Sequence, residues 1–310
     1  MKRFAKIVFT FGLLLILTGV ILLRKDSIST IFNTYFSSNN SKIEITDANG
    51  YYRDYDFMFV QNISDKTVSN YQELINVYYT VINSGISRFT FYCPKNEYNR
   101  CIDDVESIAN NQTLLSNINN YVHPYNAFSH IETEFDNLGK VTISIERAYS
   151  SSDIQLINKS VDDIYNKLYD NNKSTEENIK LFHDYIIENT KYDSERSDKN
   201  IVNYKSETAY GPLFEGHAIC GGYTDLMQLF LEKMKIKNYR VSSYMHIWNA
   251  VEINNKWYHI DLTWDDPVIS DGTEVVYHDY MLIDTKELLN KEKTQHNFDE
   301  DVFIELKEAN

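Results

Sequence analysis

A cysteine, a histidine and an aspartate follow one another in the last third of the chain, each in a setting that could support catalysis. Cys220 lies where a glycine-flanked loop gives way to an amphipathic pattern, His246 opens the segment His-Ile-Trp-Asn-Ala-Val, and Asp261 lies late in Lys-Trp-Tyr-His-Ile-Asp-Leu-Thr-Trp. A thiol, an imidazole and a carboxylate can act as nucleophile, general base and orienting group. The sequence therefore predicts nucleophilic catalysis by Cys220, provided that the fold brings the three together.

The residues after Cys220 predict a helix that begins at or just after the thiol. From Tyr223 to Met234, apolar side chains recur at i, i+3, i+4, i+7, i+8 and i+11, the spacing of one buried stripe on a helix. The first turn of a helix carries unpaired N–H groups and the positive end of the helix dipole, and both stabilise a thiolate. Gly221 would let a substrate backbone approach closely because it has no side chain. The alternative is a small buried cysteine that caps a core helix.

Two strands are predicted downstream, from Ser242 to Ile253 and from Lys256 to Trp264, because both segments are rich in β-branched and aromatic residues. The intervening Asn254-Asn255 suits a two-residue type I′ turn, in which both residues have positive φ. With that loop, His246 and Asp261 become diagonal neighbours on one face, since side chains alternate between the faces of a hairpin. A three-residue loop would place Asp261 on the opposite face.

Several further residues lie near the predicted pair. His259 shares the face of Asp261 and is a rival of His246, but a strand histidine is usually solvated or bonded to the structure around it, and we assign His259 that role. Candidates for the substrate cleft are Tyr210, His217, Gly221 and Trp248. An ordinary loop position is the alternative for His217. The backbone N–H of Cys220 is one candidate oxyanion donor, and Tyr210 is a second. No metal-ligand spacing is present, and we expect no cofactor.

Three segments around these residues resemble the transglutaminase-like superfamily, most closely its bacterial extracytoplasmic members. They are Gly-His-Ala-Ile-Cys-Gly-Gly-Tyr, His-Ile-Trp-Asn-Ala-Val and Trp-Tyr-His-Ile-Asp-Leu-Thr-Trp-Asp-Asp-Pro, and the resemblance runs from about Ser174 to Ile283. It implies an α+β fold with a papain-like core, in which the nucleophile helix packs on antiparallel strands. It also implies that Cys220 is the nucleophile, His246 the general base and Asp261 the orienting group.

The chemistry implied by the resemblance is acyl transfer or hydrolysis at an amide of a protein or peptide. Gly221 and His217 differ from the residues common at their positions in the family, and both concern the wall of the cleft. A cysteine peptidase of the same fold is one alternative, since the choice of acceptor depends on how well the cleft excludes water. A catalytically silent binding or assembly module of the cell surface is another, because an intact triad does not guarantee an oxyanion hole.

The N-terminal segment predicts attachment to a membrane. Ile7 to Leu23 is an uncharged apolar run of 17 residues, with three basic residues before it and two after it. This length is short for a membrane span, and no clear cleavage site follows, so we predict an uncleaved signal anchor rather than a cleaved signal. The small excess of positive charge before the run predicts a single-pass protein of the cell membrane whose globular part is extracytoplasmic.

The rest of the chain is strongly acidic. The first 25 residues hold five basic and no acidic residues, which leaves 25 basic against 45 acidic residues, a net charge of −20 for the remainder. Nucleic acids and anionic lipids would repel such a surface, so we exclude a nucleic-acid partner. The expected partners are a protein or peptide substrate at the cell surface and the membrane itself.

The other two cysteines fit this location. Cys93 and Cys101 are separated by a polar turn of seven residues, and outside the cytoplasm they could form a disulfide. That pairing would leave Cys220 as the free thiol. Two unpaired thiols are the alternative.

Changes in pattern divide the chain into four predicted parts. These are a signal anchor at 1–25, a polar tether at 26–44, a small accessory α/β domain at 45–150 and a transglutaminase-like catalytic domain at 151–310. Predicted strands of the accessory domain are 55–60, 88–93 and 140–147, and predicted helices are 68–82 and 102–121. A structural extension of the catalytic core is the alternative for this region. In the catalytic domain, a helix is predicted at 154–169, and Ser174-x-x-Glu177 predicts a capped helix up to about 188.

Overall fold

The computed structural model describes residues 42–94, 97–266 and 275–308. The predicted signal anchor and nearly all of the predicted tether lie outside these residues. Within the described part of the chain, no helix combines the length and the apolar character that crossing a membrane requires. Attachment to a membrane therefore stays a prediction.

Ten α-helices form in the described ranges. They are α1 Tyr71–Asn83, α2 Cys101–Ala109, α3 Gln112–Asn119, α4 Ser151–Leu168, α5 Thr175–Glu188, α6 Ser194–Lys199, α7 Cys220–Lys233, α8 Leu262–Asp265, α9 Thr285–Lys291 and α10 Ile304–Glu308. The predicted capping box is present at the start of α5: the Glu177 N–H donates to the Ser174 hydroxyl, and the Ser174 N–H donates to the Glu177 carboxylate. A π-helical turn at Gly211–Glu215 lies in the approach to α7.

Eleven strands form in the same ranges. They are β1 Lys42–Ile43, β2 Lys66–Thr67, β3 Arg88–Tyr92, β4 Phe128–Phe135, β5 Lys140–Arg147, β6 Lys191–Tyr192, β7 His217–Ala218, β8 Asn238–Ser242, β9 Ile247–Ile253, β10 Lys256–Ile260 and β11 Met281–Ile283. Two antiparallel sheets have the orders β3-β5-β4 and β11-β10-β9-β8, and β1-β2 and β6-β7 form two-stranded pairs, of which β6-β7 is parallel.

The four-stranded sheet lies between two apolar cores. On one face, Val251, Ile253 and Ile260 pack with apolar side chains of α4, α5 and α7. On the other face, Trp248 and Trp257 pack with side chains of α1 to α3 and of the C-terminal segment. The helix that begins at Cys220 therefore packs on antiparallel strands, and the mixed α and β architecture that the sequence predicts is confirmed.

The predicted accessory region, 45–150, holds the three-stranded sheet and helices α1 to α3. Its apolar side chains form one continuous core with Tyr239, Val241 and Trp248 of the four-stranded sheet. The buried Arg53 guanidinium also crosses between the two regions, because it donates to the carbonyl oxygens of Tyr121, at 2.7 Å, and Asn238, at 2.9 Å. The two regions thus share a core, and where their domain boundary lies stays a prediction.

Two predicted elements of the accessory region are wrong. Residues 55–60 form no strand, because the Phe57 N–H donates to the Val60 carbonyl oxygen at 2.9 Å and closes a local turn. The single helix predicted at 102–121 is divided into α2 and α3, because the Asn111 side chain accepts from the Leu114 N–H and starts a new helix. Strand β4 was not predicted, whereas α1, β3 and β5 lie close to their predicted ranges.

Two predicted strands near the candidate site also end differently. The segment 242–253 contains a turn between β8 and β9, in which the Ser243 N–H donates to the His246 carbonyl oxygen at 2.9 Å. The next strand ends at Ile260 instead of Trp264, because the Asp261 side chain caps α8. His246 and Asp261 therefore lie at strand ends, and both are buried.

The structure joins Cys93 and Cys101 by a disulfide with a Cα–Cα distance of 5.7 Å. The bond connects the end of β3 to the first residue of α2. The third cysteine of the chain, Cys220, is free and partly exposed. The structure thus contains the disulfide between Cys93 and Cys101 and the free thiol of Cys220 that the sequence analysis considered.

Candidate active site

The hairpin β9–β10 sets the register of the site. Asn254 and Asn255 have φ of 53° and 61°, the two positive values that a type I′ turn requires. Ile253 pairs with Lys256, and the ladder continues to Asn249 opposite Ile260. The predicted even-numbered loop and its register are confirmed.

Asp261 follows the last pair of this ladder and is held from both sides. Its Oδ1 accepts hydrogen bonds from the backbone N–H groups of Thr263, at 3.0 Å, and Trp264, at 3.3 Å. Its Oδ2 lies 2.5 Å from the Nε2 of His246. The first pair of bonds is an N-cap of α8, so the element that ends the strand also fixes the direction of the carboxylate.

The electrostatics of the pair favour a charged imidazole facing an ionised carboxylate. Burial lowers the pKa of His246, but the negative charge of Asp261, the hydrogen bond to it and the contact with Cys220 outweigh burial and raise the pKa of His246 to about 10. Burial raises the pKa of Asp261, but the charge and the hydrogen bond of His246 and of His296 hold that pKa well below its ordinary value. The opposite directions are those expected of an ion pair.

Cys220 interacts with the imidazole of His246 and contributes to its raised pKa. Because the Nε2 of His246 faces Asp261, Nδ1 is the ring nitrogen that remains available to the sulfur. Cys220 is the first residue of α7, preceded by Ile219, which is extended and provides no side-chain cap. The thiol thus lies at an uncapped helix N-terminus, as the sequence predicts.

Polar contacts tie α7 to the sheet and so fix the thiol relative to the histidine. The Thr224 hydroxyl donates to the Ile247 carbonyl oxygen at 3.0 Å, and the Asn249 amide donates to the Thr224 carbonyl oxygen at 3.1 Å. The next residue, the buried Asp225, accepts from Arg240 of β8 at 3.1 Å. These bonds join the helix that begins at Cys220 to both strands that flank His246.

Close backbone packing explains why the two residues after the thiol are glycines. A Cβ on Gly221 would lie 2.9 Å from the Glu207 carbonyl oxygen, and one on Gly222 would lie 2.4 Å from that of Ser206. The approach loop therefore packs directly on the first turn of α7. The space that the sequence analysis reserved for a substrate backbone at Gly221 is occupied by the backbone of the chain itself.

The other predicted cleft residues surround the site unequally. Tyr210 lies in the approach loop, with the Lys205 ammonium 4.1 Å from its ring centroid. His217 stacks on Tyr204 at 3.9 Å and bonds the Glu215 carbonyl oxygen through Nδ1. Trp248 is only 1% exposed and stacks on His246, so it supports that ring and does not line an open cleft.

The rival histidine, His259, has structural partners. Its Nδ1 accepts from the Trp248 indole N–H at 2.9 Å, and its Nε2 bonds the Thr285 hydroxyl at 3.0 Å. Burial, aided by the positive charge of His296, lowers the pKa of His259 to about 3. The structural role that the sequence analysis assigned to it is confirmed.

Two residues near the site were missed. The His296 side chain is fully buried, and its Nε2 lies 2.9 Å from the same Asp261 oxygen that His246 contacts. Tyr192 ends β6, which pairs with the strand just before the thiol; burial raises its pKa, and so does the charge of Cys220. His296 is far from the motifs in sequence, whereas Tyr192 in Thr-Lys-Tyr-Asp gave no signal other than its place after a predicted helix.

Two groups of potential ligand atoms converge among the described residues, each with its atoms within 4.8 Å of one another. They are His183, Asp184 and His278, and His246, Asp261 and His296. In the first group, the Lys180 ammonium lies 2.6 Å from both Asp184 and His278 and already provides a cation. In the second, the separations of 2.5 and 2.9 Å are those of hydrogen bonds. We interpret both groups as hydrogen-bond networks.

The three motifs thus contribute a free cysteine, a histidine paired with an aspartate, and an aspartate that caps a helix. Residues 159–293 match a family model described as a transglutaminase-like domain. This match confirms the resemblance to the transglutaminase-like superfamily that the sequence analysis stated, and it is wider than the predicted 174–283.

Comparison with solved structures gives more distant likenesses. One, described as "Crystal structure of a TGase", is 16% identical and has a TM-score of 0.31, over 44% of this chain and 45% of that chain. Another, a "Putative Cysteine Protease from Cytophaga hutchinsonii", is 12% identical with a TM-score of 0.28, over 47% of this chain and 65% of that one. The chain thus spans less than two thirds of either protein. A comparison with curated proteins gives no match.

Proposed function

We propose that this chain is a membrane-anchored, extracytoplasmic thiol enzyme that transfers or hydrolyses acyl groups at amides of proteins or peptides. One observation carries the proposal: the Nε2 of His246 lies 2.5 Å from the Asp261 carboxylate, and the same imidazole interacts with the free Cys220 at the start of α7. The match of residues 159–293 to a transglutaminase-like domain supports it. The papain-like character of the core and the roles of the three residues are part of the same proposal.

In the proposed reaction, the imidazole of His246 takes the proton of the Cys220 thiol. The Cys220 thiolate then attacks the amide carbon, so that a C–S bond forms and the carbonyl electrons move to oxygen. When the oxyanion collapses, the C–N bond breaks and the leaving amine takes the proton from His246. An amine or water next attacks the thioester, gives its proton to His246 and releases the thiolate.

The N–H of Cys220 is the oxyanion donor that the geometry supports. It lies at the N-terminus of α7, and within the described residues it donates to no backbone carbonyl oxygen. A free N–H and the positive end of the helix dipole would both stabilise the developing negative charge. Tyr210 remains the second candidate.

The turn before His246 would contact the substrate beside the reacting amide. Tyr244 and Met245 are 98% and 76% exposed, although large apolar side chains usually avoid water. Both directly precede the histidine, so an apolar residue flanking the target amide would cover them. This edge, together with Tyr210 and His217, forms the proposed cleft.

The proposal is tested by incubating the full-length protein, in detergent, with a surface-protein extract and a biotinylated primary amine. Mass spectrometry then distinguishes the acceptors, because amine incorporation or cross-links indicate transfer and new termini indicate hydrolysis. Cys220→Ala is the matched control. Equal product patterns with both proteins would exclude the enzyme and leave the silent surface module.

A further inference from the structure

A second histidine completes the coordination of the orienting carboxylate. The two Oδ1 contacts of Asp261 are backbone N–H groups, while its Oδ2 faces the Nε2 atoms of both His246, at 2.5 Å, and His296, at 2.9 Å. A carboxylate oxygen has two lone pairs. All four lone pairs of this buried carboxylate therefore face a partner within the protein, and one of the two on Oδ2 faces His296.

The position of His296 is itself over-determined. Its Nδ1 lies 3.1 Å from the carbonyl oxygen and 3.2 Å from a carboxylate oxygen of Glu292, four residues earlier. Its ring stacks on Tyr280 at 5.6 Å and meets Trp248 edge-on at 4.9 Å. A fully buried ring held by acceptors at one end and aromatic rings at its sides can only direct its other nitrogen at Asp261.

We propose that His296 is a positioning residue of the site: it shares the Asp261 Oδ2 with His246, and so holds the carboxylate in place and limits how strongly it binds the imidazolium. The inference rests on the proposed function, since it concerns the same reaction. Its chemical purpose follows from the proton transfers. A base that holds its proton too tightly cannot pass it to the leaving amine.

The direction of the effect follows from the number of donors. With both histidines present, the charge of Asp261 is divided between two N–H groups. When the donor of residue 296 is removed, the carboxylate interacts with His246 alone, so the imidazolium persists to higher pH. The other titratable groups around His296 are Glu292, Tyr280 and His259, and none of them replaces the missing donor on Oδ2.

The test uses iodoacetate on the full-length protein, with a chelator present. This anionic reagent reacts with a thiolate and is attracted by the imidazolium beside it, so its rate should describe a bell: the acid limb reports loss of the thiol proton, and the alkaline limb reports loss of the His246 proton. We expect His296→Asn, whose amide is too short to reach Asp261, to move the alkaline limb upward by roughly one pH unit. His296→Gln, whose amide has the necessary reach, should restore the wild-type limb.

Two further variants control for folding. His296→Phe keeps a ring of similar shape, fills the cavity that Asn leaves and should show the same upward shift. His259→Gln alters an equally buried histidine that also contacts Trp248 but bonds Thr285, and its alkaline limb should not move.

The outcomes separate the two proposals. A wild-type protein whose alkylation follows a single ordinary thiol titration refutes the proposed function itself. A wild-type bell that is unchanged in both His296→Asn and His296→Phe refutes only the role of His296. A shift of equal size in His259→Gln would also overturn that role, because it would show a general response of the buried aromatic cluster.

Discussion

Replacement of Asp261 by asparagine tests whether the carboxylate does more than hold a shape. The backbone N–H groups of Thr263 and Trp264 require an oxygen at the Oδ1 position, so the new NH2 group must face the Nε2 of His246. That nitrogen can then only accept, which moves the single proton of the neutral ring to Nδ1, the nitrogen next to Cys220. The imidazole would donate to the sulfur instead of removing its proton.

The magnitude follows from the pKa of His246. Asp261 is a main cause of its rise to about 10, while burial acts in the opposite direction. Without the carboxylate charge, the pKa should fall to the ordinary value of about 6.5 or below, so the imidazolium becomes less stable by a factor of roughly 10³ or more. Conversion of a triad aspartate to asparagine in another enzyme lowers kcat by about 10⁴. We therefore expect turnover to fall by roughly 10³ to 10⁴.

The assay is iodoacetate alkylation at pH 5.5 alongside turnover, with thermal unfolding as the control for stability. Asp261→Asn should lose the fast alkylation, while the free energy of unfolding should fall by only about 1–3 kcal/mol because charged hydrogen bonds become neutral ones. Asp265→Asn is the matched variant, since Asp265 is equally buried in α8 but bonds His183 and the Tyr280 N–H. Fast alkylation and full turnover in Asp261→Asn would refute the reasoning.

Four further results are expected. Cys220→Ala should fold normally, because alanine suits a helix start, and should form no covalent acyl adduct by mass spectrometry; retained turnover would exclude Cys220 as nucleophile. One residue inserted between Asn254 and Asn255 should abolish fast alkylation, since a one-residue slip inverts the faces of the hairpin; an insertion variant that folds and reacts normally would exclude the register argument. A thiol titration of denatured, unreduced protein should give one free thiol per chain, and reducing the disulfide should cost about 2.5 kcal/mol for its short loop; three thiols would disprove the bond. Because the pKa of His246 is raised in the folded state, its contribution to stability should be complete below about pH 6.5 and disappear as the pH rises towards about 10. Urea unfolding across this pH range measures the contribution. A free energy of unfolding that does not change with pH would contradict the ion pair.

The hairpin was predictable because its information is local. Two asparagines fix the turn type, the turn type fixes the register, and the register places His246 and Asp261 on one face. The start of α7 was also predictable, from the spacing of apolar residues and from the glycines after Cys220. Only the reason for those glycines differed, since a sequence does not show that the carbonyl oxygens of a loop will approach them.

The end of β10 was not predictable in the same way. Leu262, Thr263 and Trp264 favour a strand by their side chains, yet they are the first three residues of a short helix. The deciding interaction is the N-cap of Asp261, whose carboxylate serves the backbone with one oxygen and His246 with the other. An aspartate can cap a helix or orient a base, and sequence patterns indicated only one of these roles where the structure has both.

The contact of His296 could not be predicted from the sequence, because nothing in Thr-Gln-His-Asn-Phe indicates that Asp261, 35 residues earlier, is its partner. Between the two lie β11, α9 and a turn held by Glu292, and only their packing against Trp248 and Tyr280 directs the ring at Asp261. Burying a carboxylate costs free energy unless its hydrogen bonds are made, and the protein provides a partner for every lone pair of Asp261. Because every lone pair of the buried Asp261 carboxylate has a partner, the carboxylate has one orientation. The His246 imidazole, which is hydrogen-bonded to it, is oriented with it. The C-terminal segment therefore acts on the reaction through Asp261 rather than through the substrate, which is why the alkaline limb, and not substrate binding, is where its removal should register.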